Sequence, residues 1–445
     1  MRGIKNNDNV SVRQVKNFNF NKKSSRWRQI ASVCIVTLLI AVGSGISTRY
    51  ISDTETYSDD TTYELDGVQY VVSPTGTGSS ADPYDAKYIK YAIENATTGG
   101  KGRTIFLPPR SGANATYWEL KDEDANISVA LSDLYLRGSN QGQTFIVGES
   151  GFNNNTNFFN VTGTYSKIRV ELIRFQASVD YDKYLGFDCF HIDGGHEIKF
   201  VDCEIRGFTG SALNFTCVDN DISWVELRGN YLLACLGDEV VFHPRGSNWV
   251  NDGIITNNFI AGSIRLHGSQ VHNLTIGNNV FKSFSSEGLY IFGSDNIDAS
   301  GNVFRRNGYI HLNGNATDYA ENVVITGANI YREDSYNQIP IVIQYTKNAT
   351  IGDSIFVNSA DWDVRSWGNN IDLRMCNIQY DLTKTNNLYG VFNGDRIVFN
   401  GYSENVGDPN SAGEWKHHNM TGVYVRNTAD DKIYLGNGTG FQLLN

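Results

Sequence analysis

One phrase recurs along this chain: apolar, any residue, apolar, two residues, a position that favours Asn, any residue, apolar. It reads VELRGNYL at 225–232, LTIGNNVF at 274–281, IDASGNVF at 297–304 and VVITGANI at 323–330, with weaker copies VELIRFQA at 170–177, IKFVDCEI at 198–205, ATIGDSIF at 349–356 and IDLRMCNI at 371–378. The Asn-like position falls at Phe175, Cys203, Asn230, Asn257, Asn279, Asn302, Ala328, Ser354, Cys376 and Asn400, in steps of 28, 27, 27, 22, 23, 26, 26, 22 and 24 residues. Intervals this even are the signature of a solenoid with one coil per repeat.

A leucine-rich horseshoe has a similar marker, but its return leg carries no further strand. Here each coil holds an additional run of β-branched and aromatic residues closed by Gly or a polar break: FHIDG at 190–194, VVFHPRG at 240–246, IRLHGS at 264–269, LYIFGS at 289–294, IHLNGN at 310–315 and IVIQYT at 341–346. Three strands per coil over about ten coils predict an all-β, right-handed parallel β-helix. The 44 Gly and 7 Pro among 445 residues suit many short strands joined by tight turns. Stacked marker Asn side chains are expected to form an internal ladder, a structural rather than catalytic role.

The segment DAKYIKYAIENA at 85–96 has helical spacing and is expected to cap the first coil, ahead of RTIFLPP at 103–109 and LYLRGSN at 134–140. With this entry the chain resembles the pectin-lyase-like superfamily over about residues 68–405. The resemblance implies the β-helix fold and a polysaccharide cleft over one sheet, walled by loops; inserts at 178–188 and 329–340 would supply such walls. It specifies no activity. Residues 406–445 read as a small C-terminal β-module.

Residues 1–28 carry eight Lys or Arg against the single acid Asp8, and 29–48 carry no charge. The division is a basic cytoplasmic segment at 1–29, a transmembrane anchor at 30–48 and an acidic stalk at 49–67. Twenty helical residues span roughly 30 Å, the thickness of a hydrocarbon core, and the basic flank marks the cytoplasmic side. A cleaved signal peptide ending near Ala41-Val42-Gly43 is the alternative. Either segment places the rest outside the membrane, as a cell-surface or secreted domain. Subtracting the segment's +7 from the total of −11 leaves that domain near −18, which disfavours nucleic acid as a partner. Asn-x-Ser/Thr sequons at Asn95, Asn160, Asn273 and Asn348 are candidate glycosylation sites. One disulfide among Cys189, Cys203, Cys217 and Cys235 is open, and the cysteines show no metal-like spacing.

Strand alternation points Ile192, Phe242, Leu266, Ile291, Leu312 and Ile343 inward and leaves two outward columns on one sheet. One column is His191, Asn214, Val241, Arg265, Tyr290 and His311; the other is Asp193, Thr216, His243, His267, Phe292 and Asn313. A uronate lyase or epimerase needs a cation for the carboxylate and a base for the C5 proton, so His243, His267, Arg265, Arg245 and Tyr290 are the catalytic candidates. His191, Asp193, Glu239, His311 and Asn313 are the candidate substrate contacts. A hydrolase would instead use two of Asp193, Asp219, Asp221, Asp238 and Glu239, but the acid set of the polygalacturonases is incomplete. No metal site is read. Calcium would suit such a face, yet no motif indicates it. The expected partner is a polysaccharide or surface glycan. The competing readings are a non-catalytic adhesive surface glycoprotein and a virus-like spike.

Overall fold

A computed structural model describes residues 63–65, 68–70, 77–98, 103–107, 115–130, 134–162, 167–178, 184–218, 220–233, 235–283, 287–306, 308–331, 339–357, 364–367, 370–376, 388–390, 398–405, 407–411, 421–437 and 439–444. The basic segment, the 30–48 span, Asp219 and much of the two inserts lie outside them. Among the described residues no helix is long and apolar enough to cross a membrane.

Three sheets wind in parallel. The first, of eighteen strands, takes the opening strand of each repeat, such as Val225–Arg228 and Val271–Gly277; the second and third have eleven strands each. The second takes the short strands after the marker, such as Tyr231–Leu233, and the third takes the Gly-terminated strands, such as Val240–Phe242 and Ile264–His267. Apolar residues from all three meet inside, and identical neighbours stack face to face: Phe215 on Phe242 at 4.5 Å and Phe281 on Phe304 at 4.7 Å between ring centroids. The six residues expected to point inward from the third sheet are all fully buried.

The Asn ladder runs through four consecutive buried residues: Asn230, Asn258, Asn279 and Asn302. Each Oδ1 accepts the backbone N–H of the marker residue one coil earlier, at 2.9–3.0 Å, beginning with Asn230 and Cys203. Each Nδ2 donates to an interior carbonyl: Phe200, Leu227, Ile255 and Ile276 in turn. Buried amides are thereby satisfied at a turn where the sheet ladder is interrupted.

Four marker positions need correction. In the 257–258 doublet the ladder residue is Asn258, while Asn257 is exposed and left-handed at φ 57°. Register pairs Arg174 with Glu204, which makes Ile173 rather than Phe175 the counterpart of Cys203. It also pairs Cys376 with Gly352, two residues short of Ser354, and Asn400 with Cys376, so Asn400 is off by the same two residues. The disulfide is not formed: Cys189, Cys203, Cys217, Cys235 and Cys376 are free.

A helix, α1 (Lys87–Thr98), buries Ile89, Ala92 and Ile93. At the other end Thr421–Asn427, Lys432–Asn437 and Phe441–Leu444 pair antiparallel, and the first of these pairs in parallel with Val398–Asn405.

Candidate functional site

The third sheet builds both outward columns in register. His191 pairs with Asn214, Asn214 with Val241, Val241 with Arg265, Arg265 with Tyr290 and Tyr290 with His311. In the neighbouring column the rings of His243 and His267 lie 4.6 Å apart, and His267 stacks on Phe292 at 4.9 Å. Rungs about 4.8 Å apart bring like residues into contact although they are distant in sequence.

Two of the cations are clamped by acids. His191 Nδ1 meets Asp188 Oδ2 at 3.0 Å, and its Nε2 lies 3.3 Å from Asp193 Oδ1. Bonding to Asp188, then to Asp193, raises the imidazole pKa to about 9, and His191 in turn holds Asp193 below its usual range. Asp188 is buried and also accepts from Ser211 N–H and Asn214 Nδ2 at 2.8 Å each. Further along, Arg265 Nε donates to Asp238 Oδ2 at 2.7 Å, Nη2 lies 3.6 Å from Glu287 Oε2, and the guanidinium lies over the Tyr290 ring at 4.6 Å. His311 Nδ1 lies 3.5 Å from Glu287 Oε1, a bond that takes the Glu287 pKa down to about 2. Burial raises the Tyr290 pKa, and its hydroxyl accepts from Asn313 Nδ2 at 2.8 Å.

His243 and His267 differ from these. Burial, then Arg245, lowers the His243 pKa; burial, then His243 and Arg265, lowers that of His267. Both imidazoles are therefore neutral at neutral pH, with a ring nitrogen able to accept a proton. Arg245 is exposed.

One expected contact is corrected. Glu239 does not face outward: it is 1% exposed and its Oε2 accepts the Ser263 N–H at 2.7 Å. The strand begins only at Val240, so outward alternation does not extend back to 239. Burial raises the Glu239 pKa to about 8. Its carboxyl occupies the space a side chain would need at Gly262, where an added Cβ would fall 1.9 Å from Oε2.

Asp188 and Glu287, with Tyr309 bonded to Glu287, belong to the site although they lie outside the strand pattern. A signal was present: Asp188, Asp238 and Glu287 each stand two residues before the residues that pair in the third sheet, Phe190, Val240 and Leu289. Among the described residues no group of three His, Cys, Asp or Glu is arranged around a metal position.

At the sequon positions, Asn273 Nδ2 donates to Asn251 Oδ1 at 2.8 Å and Asn160 Nδ2 to Asn126 Oδ1 at 3.1 Å, while Asn348 donates to Asn322. Asn95 lies on α1.

No family model and no curated protein matches the sequence. Solved structures do. A mutant of DFA-IIIase from Arthrobacter chlorophenolicus A6 aligns with TM-score 0.50 and 13% identity over 67% of this chain and 81% of that one. The likeness is one of fold, the parallel β-helix. Other β-helices of this kind align at lower scores. The A-module of a mannuronan C-5 epimerase from Azotobacter vinelandii has TM-score 0.41 and 13% identity over 79% of this chain and 85% of that one. A surface adhesin of Streptococcus pneumoniae has TM-score 0.46 and 10% identity over 83% and 98%. At such identities no residue role is transferred.

Proposed function

We propose that this chain is an exported, membrane-tethered β-helix protein that engages polysaccharide on its third sheet and acts there as a uronate lyase or epimerase. The observation that carries the reading is the adjacent pair His243–His267, two neutral imidazoles with ring centroids 4.6 Å apart beside guanidinium groups on one outward face. A neutral imidazole of His267 takes the C5 proton of a bound uronate. In the lyase reaction the released electron pair forms the C4–C5 double bond as the C4–O bond breaks, and the leaving oxygen takes a proton. Tyr290, kept as a phenol by its raised pKa, is the donor on this face. In the epimerase reaction the C4–O bond stays intact and Tyr290 delivers its proton to C5 on the side opposite His267, each group then exchanging with solvent. His191, Asp193, His311 and Asn313 bind sugar hydroxyls.

A second reading is a non-catalytic adhesive protein. It is favoured by the acid clamps, since Asp188, Asp193, Asp238 and Glu287 neutralise His191 and Arg265 where a substrate would need their charge. To the same proposal belong the anchor at 30–48, the end-capping role of α1, the C-terminal strands as a cap, and glycans on sequons that remain accessible.

Incubating the chain with a panel of uronate polymers, and reading absorbance of the unsaturated product and C5 hydrogen exchange in heavy water, tests the enzyme. His267→Ala is expected to lose at least about a hundredfold in turnover. Turnover unchanged in both His243→Ala and His267→Ala would remove the catalytic assignment; binding without turnover selects the adhesive.

A further inference from the structure

The turn leaving the strand Val240–Phe242 runs His243-Pro244-Arg245-Gly246-Ser247-Asn248-Trp249. Pro244 is buried, whereas His243, Arg245 and Trp249 are exposed, Trp249 to 49%. Trp249 is one of several exposed large apolar side chains, and what sets it apart is that it shares a short turn with His243 and Arg245.

The turn is tied down from both sides. Asn248 Nδ2 donates to the Cys217 and Val218 carbonyls of the preceding coil at 2.8 and 2.9 Å. The Trp249 N–H donates to Asp221 Oδ1 at 2.9 Å, and Gln270 Nε2 of the following coil donates to the Gly246 carbonyl at 3.3 Å. Gly246 adopts φ +67°, and a Cβ added there would meet nothing within 4 Å, so the space beside the tip is open. A backbone so fixed adds little ordering cost of its own when its side chains bind a ligand.

The charges on the turn also differ from those elsewhere on the face. Arg265 is shared between Asp238 and Glu287. Arg245 makes no ion pair among the described residues, although it lies near enough to Asp193 and His243 to lower both pKa values. Arg245 and Trp249 thus combine an uncommitted guanidinium with an open indole. A sugar ring bearing a carboxylate presents the complementary pair, an apolar face of C–H groups and an anion.

We propose that this turn is a subsite for a uronic acid residue, with Trp249 as the platform for the ring, Arg245 as the receptor of the carboxylate and His243 as a hydrogen-bond partner. The subsite rests on the reading that glycan occupies the third-sheet face; it does not depend on turnover. It also separates the two arginines: Arg245 recognises the substrate charge, and Arg265 positions Tyr290 and the acids around it.

Calorimetric titration of the full chain with short oligogalacturonates and with their methyl esters tests the assignment. The wild type is expected to prefer the free acid by about tenfold or more. Arg245→Gln abolishes that preference while leaving ester affinity in place, and Arg245→Lys restores part of it. Trp249→Ala weakens acid and ester alike by about tenfold. Unaltered thermal unfolding of each variant checks its fold. If both variants bind as the wild type does while His267→Ala or Phe292→Ala loses affinity, the glycan lies elsewhere on the sheet; the subsite is then refuted and the reading of the face survives. A wild type that binds no uronate oligomer overturns both.

Discussion

Two ladders run along this solenoid, one inside and one on its surface, and they use the same rung spacing to opposite ends. Inside, Asn230, Asn258, Asn279 and Asn302 have their Oδ1 and Nδ2 atoms engaged by the protein itself. Outside, the ring of His243 lies 4.6 Å from that of His267, His267 stacks on Phe292, and neither imidazole makes a side-chain hydrogen bond among the described residues. A column whose hydrogen-bonding groups are saturated stabilises the coil. A column held only by ring stacking is positioned yet chemically open. The comparison predicts that inner substitutions reduce stability and outer ones reduce binding or turnover.

The largest effect on stability is expected at Asn258→Ala, which strands the Asn230 N–H in a dry turn and leaves Asn230 Nδ2 with the Phe200 carbonyl alone. A cost on the order of 3 kcal/mol is expected, read as a lower denaturant midpoint; a shift comparable to that of a surface variant would break the contrast. Gly262→Ala follows, at about 1–3 kcal/mol, because its Cβ collides with the buried Glu239 carboxyl. Adding Glu239→Ala should recover part of the loss, and an additive double variant would show that the two do not interact.

Smaller effects appear as pH dependence. The folded-state pKa of His191, about 9, lies above the ordinary 6.5, so its contribution to stability is full below about pH 6.5 and is lost as pH rises through about 9. Asp188→Asn should flatten this decline, measured as unfolding temperature across that window. Glu239 acts in the same direction, since its raised pKa makes its contribution full below about pH 4.5 and lost by about pH 8. Glu239→Gln should therefore gain most over the wild type at alkaline pH. The smallest stability effect is expected at His243→Ala, within about 0.5 kcal/mol, with its consequence appearing in glycan binding instead.

The coil, the three strands and both outward columns were legible in the sequence because alternation and repeat length depend on local residue patterns. What was not legible depended on breaks in parity. Asn257 and Asn258 are indistinguishable as residue types, and only the left-handed backbone at the first assigns the ladder to the second. Glu239 stands one residue before its strand begins, where alternation no longer sets the direction of a side chain. Glu287 carries no local signal of its partner, because His311 lies 24 residues away and becomes a neighbour only once the coils are stacked. The shifts at Phe175, Cys376 and Asn400 are hidden in the same manner, since a shift of two residues preserves the apolar pattern.

The spacing of the inner ladder has an evolutionary consequence. Its successive members are separated by 28, 21 and 23 residues, yet they meet with nearly constant hydrogen-bond lengths. The ladder therefore acts as a ruler that ignores how much chain lies between its marks. Insertions and deletions can accumulate in the connecting turns of any one coil, reshaping the walls above the third sheet, while every other coil keeps its address.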